Sequence, residues 1–392
     1  MRSSFIVSAT FVFALALPLE GCTEVAVAPD LGVTGDGIAG DGSAGSTFPP
    51  GEPGPCRVSD KKDLQINRSG RNIFLSIRLP NPNPLGPVIC QRATPAPIIF
   101  ITPASQQDIG QYDSYAKHLA SHGFATLAIA YPNDPVQADH REAAHDLRAV
   151  IDWAKTQNAT FASPYHGRLS WDHVAVTGHG SGAVVGLLAA LENPRILALA
   201  GMDPVDGNPY ATTADPRYPS VVPQFLDRFT GPLLLLGETT NGTCASGGCR
   251  ACAPFAENYQ RFFASANASA AAIEVSFAGA DHNDWLDDPH CGFLCDACRE
   301  GTAKDDAVRG LSRKYLTAFF AWTLRGDIAA IESLCTSAHP EPAPAQTRVS
   351  CQDNGKLPSP TTGDGGADAG DGGAADTNSL HDMAFPDQPA TD

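Results

Sequence analysis

Polar and apolar residues alternate over residues 72–79, the period-two pattern of a strand with one buried face. Short apolar runs at 97–101, 125–131, 173–177, 196–202, 232–237 and 273–278 read as strands. Between them the period changes to that of a helix. Residues 112–122 are helical up to Gly123, and 139–157 carry Ala143, Leu147, Val150, Ile151 and Ala154 on one stripe. A helix follows a glycine turn after Thr177 and runs through Leu191, and 306–324 forms the last helix. Strands alternating with helices predict an α/β fold class: a single domain with a mostly parallel central sheet and helices on both faces.

The flanks break this pattern and set four expected regions. Residues 1–22 read as an export signal, with Arg2 ahead of a 13-residue apolar run from Phe5 to Leu17. That run is shorter than the roughly 20 residues a membrane span requires. It ends in Leu19-Glu20-Gly21-Cys22, similar to a bacterial lipobox, so Cys22 is the expected lipidation site; the alternative is plain secretion. Residues 23–55, rich in Gly, Pro, Asp and Ser, read as a disordered tether, 56–352 as the folded domain and 353–392 as a disordered acidic tail. The tail's Gly-Asp repeats lack the strict nonapeptide period of a calcium-binding solenoid.

Charge follows the same partition. The chain of 392 residues carries a formal −17, but 23–55 and 353–392 together hold −12 and the central domain only −5. An acidic chain without a basic cluster or binding motif gives no footing for nucleic acid. The lipid would be its means of reaching a membrane. Eleven cysteines leave ten once Cys22 is set aside. In an exported chain an even set reads as disulfides, with Cys56–Cys90, Cys335–Cys351 and links between the clusters 244/249/252 and 291/295/298 expected. A zinc thiolate site built from the two C-x2-C pairs is the rival reading.

The most informative stretch is Val174-Ala175-Val176-Thr177-Gly178-His179-Gly180-Ser181-Gly182-Ala183, a strand entering a tight turn and then a helix of small residues. This is the setting of a nucleophile elbow, G-x-S-x-G. Further along come Ser121-His122-Gly123-Phe124, Met202-Asp203-Pro204-Val205-Asp206-Gly207, Cys252-Ala253-Pro254 with Asn258-Tyr259, and Ala280-Asp281-His282-Asn283-Asp284 with Leu286-Asp287-Asp288. In this order they resemble the chlorophyllases, and more distantly the platelet-activating-factor acetylhydrolases and polyester hydrolases of the α/β-hydrolase fold, over roughly residues 70–325. The resemblance implies a carboxylic ester hydrolase without cofactor, acting on a small apolar ester-like ligand.

By that resemblance Asp203 is the triad acid and His282 the triad base, with Glu238 a second candidate acid. The nucleophile position falls on Gly180, which has no side chain. Ser181 is the candidate substitute, although moving the motif by one residue puts His179 and Ala183 where glycines belong and turns the side chain by about 100°. The expected oxyanion donors are the amides of Ala104 and Ser181, in a loop where Thr102-Pro103-Ala104 departs from the family's His-Gly. Two functions therefore stand side by side: an ester hydrolase using Ser181 or water, and a degenerate hydrolase that keeps its pocket for binding. Trp285, Tyr112 and Tyr115 read equally as pocket lining or core. His118, His122, His140 and His145 read as surface or satisfied core residues, and the acids at 281, 284, 287, 288, 296, 300, 305 and 306 as a solvated loop rather than a calcium site.

Overall fold

The computed structural model describes residues 51–353, apart from 92, 134, 210–214, 245–250, 291–294, 296–297 and 336–346. The expected export signal, Cys22, most of the tether and all but the first residue of the acidic tail lie outside the described residues. Of the tether, 51–55 are described: the Gly54 amide donates to Ser121 Oγ at 2.7 Å, and the His122 ring meets the Glu52 carbonyl at 2.8 Å.

The described strands are β1 (Lys62–Arg68), β2 (Arg71–Arg78), β3 (Ala96–Thr102), β4 (Ala125–Ala130), β5 (Leu169–His179), β6 (Ile196–Met202), β7 (Leu233–Glu238), β8 (Ala271–Phe277) and β9 (Thr347–Asp353). The helices are α1 (Val88–Gln91), α2 (Asp113–Ser121), α3 (His140–Ala159), α4 (Ser181–Glu192), α5 (Tyr259–Ala264), α6 (Asp305–Arg325) and α7 (Ile328–Cys335). All strands join one sheet in the order β1-β2-β4-β3-β5-β6-β7-β8-β9. Pairing is parallel from β4 through β8, and antiparallel at β1–β2, β2–β4 and β8–β9.

Side-chain alternation divides the core between the two faces of the sheet. On β3, Ile98 and Phe100 join Leu147, Val150, Ile151 and Phe262 under α3, α4 and α5. Ile99 and Ile101 join Leu119, Phe124, Leu316, Phe319 and Phe320 under α2 and α6. β7 divides in the same way, Leu233 and Leu235 against Leu234 and Leu236. Local signals set the helix ends: the Asp139 carboxylate caps α3 by accepting from the amides of Arg141 and Glu142, and α6 stops at left-handed Gly326.

The sequence expectations meet the structure element by element. The helix expected at 112–122 starts as a 3₁₀ turn, Ile109–Tyr112, before α2. β1, β9, α1, α5 and α7 have no counterpart among the expected elements. Disulfides join Cys56 to Cys90, Cys252 to Cys298 and Cys335 to Cys351, and Cys244 and Cys295 are disulfide-bonded as well. Cys252 and Cys298 come from different clusters, and their sulfurs are bonded to each other instead of serving as thiolate ligands to zinc. Among the described residues no group of three or more metal-ligating side chains is placed to hold a metal, and no helix is long and apolar enough to cross a membrane.

Trp285, Tyr112 and Tyr115, open between pocket lining and core, are fully buried in the core under α2 and α6. Two expectations need correction. His140 is buried with its Nδ1 lacking any hydrogen-bond partner, so it is not a satisfied core residue. The acidic loop is not wholly solvated: Asp281 and Asp284 are buried and form a reciprocal capping box on the turn His282–Trp285.

Candidate active site

The elbow between β5 and α4 is built by close approach. A Cβ on Gly178 would stand 2.4 Å from the Ala183 amide, and one on Gly182 would stand 2.4 Å from the Thr102 carbonyl oxygen. The two positions that exclude a side chain thus flank residue 180, not 181. Gly180 itself has φ +52° and ψ −122°, a conformation open to glycine that would strain a residue with a side chain, of the kind met at active-site turns. A Cβ there would lie 3.2 Å from His282 Cε1, 3.3 Å from His282 Nε2 and 3.3 Å from Ala104 Cβ. A side chain at 180 would point at the imidazole. Ser181 begins α4, and its hydroxyl lies 2.7 Å from that of Ser105.

His282 stands at the head of the 3₁₀ turn after β8. Its Nδ1 is 2.5 Å from Asp203 Oδ2. Asp203 is fully buried at the end of β6, with φ +44°, and its amide donates to the Leu236 carbonyl at 2.6 Å. Because the buried carboxylate accepts the Nδ1 proton, the Nε2 lone pair faces Gly180. The His282 amide donates to Asn241 Oδ1 at 2.8 Å, and the Asn241 amide in turn donates to Glu238 Oε2 at 2.7 Å.

Behind this pair runs a second, directional chain. The Ala104 N–H donates to the Tyr112 hydroxyl (3.1 Å), which lies 2.9 Å from His179 Nδ1. His179 Nε2 lies 2.9 Å from the His282 carbonyl, and its ring packs against the His282 ring at 4.6 Å. The carbonyl only accepts, so Nε2 carries the His179 proton and Nδ1 accepts from Tyr112. Burial, together with the neighbouring His282, pushes the His179 pKa well below its ordinary value and keeps the ring neutral. The Ala104 amide, expected in the oxyanion site, is therefore held by Tyr112.

Glu238 ends β7, and its amide donates weakly to Asp203 Oδ1 at 3.4 Å. Its Oε2 accepts from two backbone amides, while its Oε1 has no partner. Burial, and then the charge of Asp203, push its carboxyl up to about 9, so it is neutral at pH 7.

Gly180, Ser181, Ala104, Ser105 and His282 line one cleft that opens to solvent, and the Cys252–Cys298 disulfide forms part of its wall. The structure thus brings the Gly180 position, His282 and Asp203 together, and turns the Ser181 hydroxyl toward Ser105. Sequence reasoning missed His179, Asn241 and Ser105 as parts of the site, and weighed Tyr112 as pocket lining or core without its hydrogen bonds to Ala104 and His179. Only His179 had a signal, its place inside the elbow motif.

Comparison with known proteins places the chain in a family. The chain is 26% identical over 251 residues to chlorophyllase-1 of Arabidopsis thaliana, covering 59% of this chain and 73% of the relative. It is 25% identical over 282 residues to chlorophyllase-2 of the same plant, covering 63% and 85%, and 27% identical over 254 residues to chlorophyllase-1 of Citrus unshiu, covering 59% and 74%. The family model described as Chlorophyllase matches residues 72–352, and the chain belongs to that family.

Proposed function

We propose that this chain is a chlorophyllase-type carboxylic-ester site that works without a side-chain nucleophile. The cleft takes a small apolar ester with its carbonyl over Gly180. His282, oriented by Asp203, draws a proton from a water molecule at Nε2 as the water oxygen attacks the carbonyl carbon. The tetrahedral adduct then expels the alkoxide, which takes that proton from Nε2, leaving acid and alcohol. The observation that carries this reading is the imidazole edge facing a position with no side chain. No acyl-enzyme forms, so turnover is slow. In a serine protease, loss of the nucleophile costs on the order of 10⁶ in turnover, while about 10³–10⁴ over water persists from the remaining site.

A second reading, ester binding without turnover, draws support from the Ala104 amide, which is bonded to Tyr112 rather than left for an oxyanion. The test is hydrolysis of a short-chain aryl ester, with fluorophosphonate labelling, in the wild type and in Gly180→Ser. The wild type should show slow turnover with no burst and no label. Gly180→Ser should gain turnover by several orders of magnitude and take the label at 180. Wild-type activity abolished by Ser181→Ala, with a label on Ser181, would overturn the reading.

The disulfides support export to an oxidising compartment. With the signal-like start and Cys22, they support a cell-envelope lipoprotein, for which partition of the full chain into detergent, lost in Cys22→Ser, is the check.

A further inference from the structure

The loop after β3 is pinned at nearly every polar group. Thr102 Oγ1 donates to the Gly182 carbonyl (2.9 Å), and the Tyr131 hydroxyl to that of Pro103 (3.2 Å). Asn133 Nδ2 donates to the carbonyls of Ala104 (3.3 Å) and Gln107 (2.9 Å), and the Gln106 amide to the Asn133 carbonyl (3.1 Å). With Tyr112 holding the Ala104 amide, the loop is rigid at the mouth of the cleft. Ser105 is the residue in it with a hydroxyl directed to the cleft's other wall, 2.7 Å from Ser181 Oγ. Two hydroxyls meeting in one hydrogen bond use one of their two protons; the second proton remains for another acceptor in the cleft that both residues line.

Attack on an ester over Gly180 places negative charge on the former carbonyl oxygen, and fixed donors there are the largest single source of acceleration in such reactions. The Ser181 amide, in the first turn of α4, has no acceptor within the helix and supplies one donor. We infer that the Ser105 hydroxyl, held by Ser181, is the other donor to the ester carbonyl oxygen, in the role from which Tyr112 has removed the Ala104 amide. Ser105 is adjacent to Ala104, whose Cβ lies 3.3 Å from the point where a Gly180 Cβ would stand. The inference rests on the reading of the cleft as an ester site.

Slow turnover makes a direct measurement practicable. Methyl benzoate labelled with ¹³C at the carbonyl is added to the full chain, and the carbonyl stretch is read by difference infrared spectroscopy. In the wild type the bound band should lie below that of the ester in hydrocarbon solvent. Ser105→Ala should move it back up, and Ser105→Thr, which keeps the hydroxyl, should restore the wild-type position. In the Gly180→Ser background, Ser105→Ala should lower kcat by about 10²–10³ with KM little changed. A bound band at the same frequency in wild type and Ser105→Ala overturns the inference alone. Absence of any bound-ester band in the wild type overturns the ester-site reading and this inference with it.

Discussion

Two tyrosines one turn apart show how much of this site depends on single polar atoms. Tyr112 and Tyr115 are both fully buried, and burial pushes both phenols far above their ordinary range. The Tyr112 hydroxyl bridges Ala104 and His179, whereas that of Tyr115 has no hydrogen-bond partner. Removing a hydroxyl that satisfies two buried groups strands both, at about 1–3 kcal/mol; removing one that is already unpartnered costs nearly nothing. Tyr112→Phe should therefore lower stability by about 1–3 kcal/mol, and Tyr115→Phe should be neutral or slightly stabilising, as read from urea midpoints at constant m-value. Equal losses in the two variants would contradict this assignment. The same contrast explains what could be read in advance. His282, Asp203 and the bare position at Gly180 sit inside local motifs whose residue types name their chemistry. Tyr112, Ser105 and Asn241 reach their partners across sequence separations of 67, 76 and 41 residues, and no local pattern marks a residue for such a contact.

At the scale of elements, β1, the outer strand of the first hairpin, was among the parts of the fold that could not be read in advance. β1 has no fully buried side chain, so its hydrophobic pattern carries little information. It is held instead by pairing with β2 around a turn at left-handed Ser69 and Gly70, and by charge. Arg68 and Arg71 from the hairpin both grip Asp146 of α3, at 2.6 and 2.7 Å, and Arg68 also pairs with Glu142 at 2.6 Å. The Asp146 side chain is fully buried while its arginines are only partly so. The strands β3–β8 and helices α3, α4 and α6 were legible because their apolar period is dictated by a core on both faces of the sheet. β1 was not, because what docks it is an ion cluster between elements over 70 residues apart. Asp146→Ala leaves two guanidinium groups facing a buried gap, a change that costs about 3–5 kcal/mol when the pair is buried. The expected result is a loss toward the lower end of that range, since the arginines can turn to solvent, with amide exchange accelerated first in β1 and β2. Uniform acceleration across the sheet would show that the cluster supports the whole core instead of the hairpin.

For the molecule as a whole, buried titrating groups should govern stability more than net charge does. Most of the −17 lies in the terminal segments, and 56–352 carries only −5. Within the fold two sets of groups oppose each other. Burial lowers His122, lowers His140 to about 4 and lowers His179 well below its ordinary value, the charge of Arg325 also acting on the first and that of His282 on the last. These rings are neutral in the native state and take up protons on unfolding below about 6.5, so stability falls as pH drops from 6.5 toward 4. Burial raises Glu274, raises Glu238 to about 9 and raises Asp284 to about 8, with Asp203 and Asp281 respectively adding repulsion to the last two. These carboxyls keep a proton in the fold that the unfolded chain releases above roughly pH 4–4.5, so stability is lost progressively as pH rises toward 8–9. Below 6.5 the two sets act against each other; above it the histidines fall silent and only the acids act. Stability should therefore peak between about pH 6 and 7 and decline toward 9, with a slope of up to about 1.4 kcal/mol per pH unit for each carboxyl still protonated in the fold. Thermal unfolding without reductant at pH 5, 6.5 and 9 reads the profile. Glu238→Gln combined with Asp284→Asn supplies neutral side chains of the same shape and should flatten the alkaline decline and steepen the acid limb, where the histidines then act with less opposition. A wild-type Tm at pH 9 equal to that at 6.5, or an alkaline slope unchanged in the double variant, would show that these two buried carboxyls do not carry the effect.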